Sequence, residues 1–192
     1  MAKIFPSIFP YDLDSPEMLK LGIQTEYEIY NKLKKLPKDY EIFCGPKFIK
    51  KNLQGDMRDG EYSDFIIIHK DKGILFLECK GGSISYKPDE GRWYQNKNIL
   101  KKSPIKQAND GKLSLIALLK SPKYNDEINI NSIPTIHGAI FPNTPKPSNI
   151  TLGADIKKEM IIWAEDCEDL NSSILNLLDL NQSKKEISDE EK

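Results

Sequence analysis

Two β-rich runs constrain this chain more than any other feature. Tyr62–His69 (YSDFIIIH) and Ile74–Lys80 (ILFLECK) are separated only by Lys70–Lys72 and Gly73. Phe65–Ile68 and Ile74–Leu77 are apolar on both faces, so neither strand can turn one face to water. Such strands belong in the centre of a sheet, with other elements covering both sides. The short connection makes them a hairpin.

The flanking sequence supplies the cover. Ser15-Pro16-Glu17 reads as a helix start, and the helix is expected to run to Leu36 before Pro37. Leu19, Ile23, Tyr27, Tyr30 and Leu33 share a stripe about 120° wide, with Lys34 snorkelling at its end. Glu26 projects inside that stripe, where an acid needs a partner, a metal or water. A strand is expected around Tyr40–Ile49, then a loop over Asn52–Gly60. Gly81-Gly82 ends the central hairpin. Ile84–Tyr86 and Arg92–Gln95 flank Pro88-Asp89-Glu90-Gly91, the pattern of a second hairpin. Ser103-Pro104 starts a helix reaching Lys120, with Ile105, Ala108, Leu115, Ile116 and Leu119 facing the core and Gly111 a weak point within it. Ile133–Phe141 and Met160–Trp163 read as strands, and 168–180 as a closing helix. The order α-β-β-β-(hairpin)-α-β-β-α gives an α/β fold: a mixed sheet flanked by helices.

The chain has 192 residues, of which 39% are apolar and 30% charged, which suits one globular domain over 1–182. Ser183–Lys192 reads as a charged tail or linker. No apolar run approaches the length of a membrane span, and the N-terminus lacks the apolar stretch of a secretory signal. Cys44, Cys79 and Cys167 are odd in number and form no C-x-x-C pair. That argues against a disulfide framework or a thiolate zinc site, and points to a reducing cytoplasm. His69 and His137 are the only histidines, which excludes an H-E-x-x-H protease. Both read as ordinary strand residues, and Cys79 as a buried, inert thiol. The net charge of −1 hides a basic body, since residues 1–154 carry 23 basic and 18 acidic groups. Lysines cluster at Lys32–Lys38, Lys47–Lys51 and Lys97–Lys106, compatible with a polyanionic partner. Within the last cluster, Lys101, Lys102 and Lys106 are the expected phosphate contacts. Trp93 and Tyr94 can either pack the second hairpin or stack on bases.

The chemistry concentrates between Asp64 and Lys80. If the turn is three residues long, His69 pairs with Gly73 and Asp64 falls opposite Glu78. Their Cβ atoms would lie about 4.5–5.5 Å apart on one face. Lys80, two residues beyond Glu78, would point to that face too. A two-residue turn would place Asp64 opposite Cys79 instead and dissolve the cluster. Two opposed carboxylates in a sheet centre repel unless a cation lies between them. Hard oxygen ligands select Mg²⁺ or Mn²⁺. Lys80 could then orient or deprotonate water, or stabilise a phosphoryl transition state.

This pattern resembles the PD-(D/E)-x-K nuclease fold, and within it the NERD (nuclease-related domain) family. The resemblance rests on GIQTEYEIYNKL, EYSDFIIIHKDKGILFLECKGGSI, GRWY and SPIKQA in that order. It implies a restriction-endonuclease-like sheet with an added hairpin and a Mg²⁺- or Mn²⁺-dependent nuclease acting on DNA. It implies catalytic roles for Glu26, Asp64, Glu78, Lys80 and Gln107, and metal ligation by Asp64, Glu78 and the Cys79 carbonyl. Where the family usually has a small or β-branched residue between Glu and Lys, this chain has Cys79. The family also occurs fused to helicases, which the C-terminal tail would allow, so the resemblance implies a helicase or other domain C-terminal to this region as a partner. A rival reading from the residues is a non-cleaving nucleic-acid-binding or interaction module that retains the fold, favoured by the near-neutral net charge.

Overall fold

The computed structural model describes residues 1–10, 21–51, 57–61, 63–124, 129–153 and 156–180. The expected helix start at Ser15–Glu17, Leu19, Tyr62 and the charged tail lie outside them.

The two apolar runs form β5 (Phe65–His69) and β6 (Gly73–Cys79), the middle of a six-stranded sheet. Outward on one side are β2 (Tyr40–Cys44) and β1 (Lys3–Phe5), and on the other β10 (Thr135–Ile140) and β11 (Ile161–Ile162). The sheet is mixed: β2–β5–β6 is antiparallel, while the β1–β2, β6–β10 and β10–β11 pairs are parallel. Every residue of β6 is buried, as its two-sided apolar sequence requires. Gly73 closes the central hairpin at φ +104, where a Cβ would come within 2.1 Å of the Pro134 carbonyl oxygen. Only glycine fits that turn.

Helices cover both faces. α1 (Leu21–Leu33) and α3 (Leu170–Asp179) set Ile29, Leu33, Ile174, Leu177 and Leu178 into a core with Ile42, Ile67 and Leu75. α2 (Pro104–Leu119) covers the opposite face, with Leu115, Ile116 and Leu119 against Ile66, Ile74 and Phe76. Its cap is the expected one, the Ser103 side chain accepting from the Lys106 N–H. Asp169 caps α3 in the same way through the Ser172 N–H. Gly111, read as a weak point, is one of the buried residues of α2.

Several boundaries differ from the sequence expectation. α1 ends at Leu33, because the Lys35 and Leu36 N–H groups bond three residues back, to Lys32 and Leu33, in tightened turns. Lys34 is exposed, and its ammonium lies over the Tyr30 ring. The expected strand Tyr40–Ile49 is broken at Gly45-Pro46, where Gly45 adopts φ +55. The chain then leaves the main sheet as β3 (Lys47–Lys51), which pairs with β4 (Met57–Glu61) inside the stretch expected to be loop. The second hairpin, β7 (Ile84–Lys87) and β8 (Arg92–Gln95), gains a third strand, β9 (Asn98–Ile99). Trp93 is buried against Tyr86 and Phe141, the packing alternative for that residue.

Gly138 on β10 faces α3. A Cβ there would stand 2.7 Å from the Met160 carbonyl oxygen and 3.4 Å from both Leu177 methyls. We expect Gly138→Ala to lower stability by about 1–3 kcal/mol in urea denaturation, the usual cost of overpacking. An unchanged midpoint would show that the β10–α3 contact is loose.

Candidate active site

The three-residue turn is the one present: His69 pairs with Gly73, Ile68 with Ile74 and Phe65 with Leu77. The ladder stops at Phe65, one residue short of Asp64. The Asp64 main chain turns to β2, its carbonyl accepting from the Gly45 N–H at 2.7 Å. Its side chain turns to β6, where Oδ2 accepts from the Cys79 N–H at 2.7 Å. A carboxylate thus takes the place of the main-chain acceptor that a longer β5 would supply.

Three other charged groups act on that carboxylate. Glu78 is a buried acid, 6% exposed, among the apolar residues of β6. Its Oε1 accepts from Lys80 Nζ at 2.6 Å. Glu26, partly buried on α1, is near enough to influence both Asp64 and Cys79. Asp64 as a whole residue is partly exposed, but its carboxyl is withdrawn from bulk water. Burial, then repulsion by Glu78, push the Asp64 carboxyl well above the usual carboxylate range; Lys80 opposes this, Glu26 adds to it, and the Cys79 N–H opposes it. Burial alone would lower the Lys80 ammonium, but the attraction of Asp64 and Glu78 outweighs it and holds the group above its ordinary value. Burial and the nearby Asp64 push the Cys79 thiol well up, so it stays protonated and unreactive.

These groups fit a hard divalent cation. Two enclosed carboxylates with one ammonium between them leave negative charge uncompensated, and their oxygens are the donor type Mg²⁺ and Mn²⁺ prefer. In a strand the N–H and carbonyl of one residue face the same neighbour, so the Cys79 carbonyl would lie on the Asp64 side of β6. Among the described residues, no three His, Cys, Asp or Glu side chains group as a metal cage. A cation would therefore take two carboxylates, main-chain oxygen and water, as Mg²⁺ commonly does.

The other expected site residues make contacts of their own around the start of α2. Gln107 uses Nε2 to bond the Lys102 carbonyl at 3.2 Å, holding the loop that enters α2. Lys102 is paired with Asp110 at 2.6 Å. Lys101 and Lys106 are exposed and form no ion pair among the described residues. His69 accepts from the Asp71 N–H, and His137 contacts Lys112 on α2.

Sequence reasoning missed Asn143 and Thr144, which hold the turn after Lys80. Asn143 Oδ1 accepts from the Gly82 N–H at 3.2 Å, and Thr144 Oγ1 donates to the Gly82 carbonyl at 2.9 Å. Their only trace in the sequence is the polar pair between prolines in Phe141–Pro145, directly after an apolar strand.

The model of the nuclease-related domain (NERD) family matches residues 21–141, more than half of the chain. The chain belongs to that family, and its mixed sheet flanked by helices is consistent with a restriction-endonuclease-like fold. No curated protein and no solved structure matches it. No described helix is long and apolar enough to cross a membrane.

Asp64 binds its proton more tightly folded than unfolded. The stability of the metal-free protein should therefore fall as pH rises from the ordinary carboxylate range through the raised native value, and stay low above it. Asp64→Asn keeps an acceptor for the Cys79 N–H and removes the charge. We expect it to raise the thermal midpoint in EDTA at about pH 8, with the gain vanishing toward about pH 4. A lower midpoint at pH 8 would mean that the ionised carboxylate stabilises the fold.

Proposed function

We propose that this protein is a metal-dependent nuclease that hydrolyses DNA phosphodiester bonds with little sequence specificity, in defence against foreign DNA or in DNA repair. The reading is carried by one observation: Asp64, Glu78 and Lys80 converge where the β5–β6 ladder ends, with Asp64 disfavoured as an anion. Membership of the nuclease-related family supports it.

Asp64, Glu78 and the Cys79 carbonyl would hold Mg²⁺ or Mn²⁺, which when bound would lower the pKa of a coordinated water and neutralise a phosphate oxygen. Lys80 is held protonated by two carboxylates. That favours a cationic role, orienting the attacking water and offsetting charge on the pentavalent phosphorus, over a role as base. Glu26 approaches from α1 and would hold an outer water by accepting its proton in a hydrogen bond. Gln107, with Nε2 engaged by Lys102, would offer its remaining amide groups to water or phosphate at the entry of α2. Lys101 and Lys106, and Lys102 once freed from Asp110, would contact the DNA backbone without reading bases.

Two measurements test this. With Mn²⁺, single- and double-stranded DNA should be cut, EDTA should abolish cutting, and Lys80→Ala should slow it by about 10²–10³. Cleavage that survives both EDTA and Lys80→Ala overturns the mechanism. Absence of divalent binding in calorimetry, beside salt-dependent DNA binding, would select the non-cleaving module. In DNA binding itself, replacing Lys101, Lys102 and Lys106 with Ala should reduce the slope of log K against log salt by about 2–3. An unchanged slope would place the DNA elsewhere on the surface.

A further inference from the structure

The turn after β10 reaches two parts of the site at once. Asn143 Oδ1 accepts from the Gly82 N–H and also from Thr25 Oγ1, each at 3.2 Å. Both donors are near neighbours of site groups. Thr25, 2% exposed, precedes Glu26 on α1. Gly82, at φ +75, follows Lys80 by two residues. The next side chain completes the grip: the buried Thr144 hydroxyl accepts from the Ile84 N–H at 2.8 Å and donates to the Gly82 carbonyl at 2.9 Å. Gln95 Nε2 holds the Gly81 carbonyl at 2.8 Å. The turn is itself anchored, because Phe141 is fully buried and its N–H bonds the Ile162 carbonyl.

Such a link adds to the packing at this end of α1. Glu26 and Asp64 are two acids within electrostatic reach of each other, and like charges repel. Ile23 and Tyr27, on either side of Glu26, are only partly buried against the core, and the fully buried Ile29 and Leu33 lie one to two turns further along the helix. Attraction at the Glu26 end must come from something other than the acids. An amide oxygen suits the task, because it accepts two donors without adding a third negative charge.

We propose that Asn143 is a positioning residue of this site: one oxygen ties the turn of α1 that carries Glu26 to the strand exit that carries Lys80. It thereby sets the distance from Glu26 to the Asp64–Glu78–Lys80 cluster. The kinetic consequence rests on the nuclease reading; the mechanical link does not. Displacement of a catalytic group by about 1 Å can cost on the order of 10²-fold in rate.

Hydrogen exchange on the full chain and Mn²⁺-dependent cleavage test the link separately. In Asn143→Ala, exchange should quicken at residues 25–27 and at residues 82–84 together. kcat should fall about 10- to 100-fold with KM little changed. Asn143→Asp keeps the acceptor and should restore protection at both segments, but its added negative charge beside Glu26 should leave kcat below that of the wild type. Thr25→Val, which leaves the Gly82 bond intact, should loosen residues 25–27 alone and reproduce the loss in kcat. Adding Asn143→Ala to Glu26→Gln should cost no further activity, because both act through one carboxylate. Exchange that quickens only at 82–84 in Asn143→Ala, or losses that multiply in the double variant, overturns the proposal. If the wild-type protein cuts no DNA, the nuclease reading fails, and exchange alone decides: linked loosening supports the tie, and unlinked loosening overturns it.

Discussion

The hydrogen bond from the Cys79 N–H to the Asp64 carboxylate is the contact on which the site depends. It lies where two central strands part, and it substitutes an acid for a backbone acceptor. Main-chain groups of a buried strand must be paired, so some acceptor is required there. Choosing a carboxylate meets that requirement and brings a negative charge beside Glu78. The stabilising bond and the destabilising charge thus come from the same side chain. Lys80 relieves part of the repulsion by pairing with Glu78.

The surrounding fold makes this concentration of charge tolerable. β6 is buried along its whole length between α2 on one face and α1 with α3 on the other. A closely packed interior gives little when its charges repel. The site also takes residues from elements far apart in the chain: Glu26 from α1, Asp64 from just before β5, Glu78 from β6, Lys80 from just after it, and the turn after β10. The parallel β6–β10 pairing, with Ala139 beside Glu78 and Ile140 beside Cys79, brings that turn next to the strand exit.

Much of the central hairpin was legible. Phe65–Ile68 and Ile74–Leu77 declared themselves as covered strands because no face of either is polar. The register hung on turn length, which the sequence left at two or three residues; the three residues between His69 and Gly73 fix every pair behind them. The Ser103 cap was legible because a capping bond is local. What escaped was non-local or set by one backbone angle. β1 pairs with β2 across the whole of α1, and three residues are too few to show a period. The departure of β3 from the main sheet turns on the positive φ of Gly45. Asn143 and Thr144 escaped because they act on Thr25, Gly82 and Ile84 through oxygens whose partners lie far off in the sequence.

By itself, the sequence determined the hairpin and the shared direction of Glu78 and Lys80, because strand periodicity is a local property of the chain, and it narrowed the register to two choices of turn length. Only the tertiary structure decided that β5 begins one residue after Asp64, that this carboxylate bonds to β6, that Lys80 pairs with Glu78, and that the Gln107 amide bonds the Lys102 carbonyl. Those outcomes depend on which distant groups compete for each donor and acceptor, and on how far each charge is removed from water. Both are settled when the helices close over the sheet.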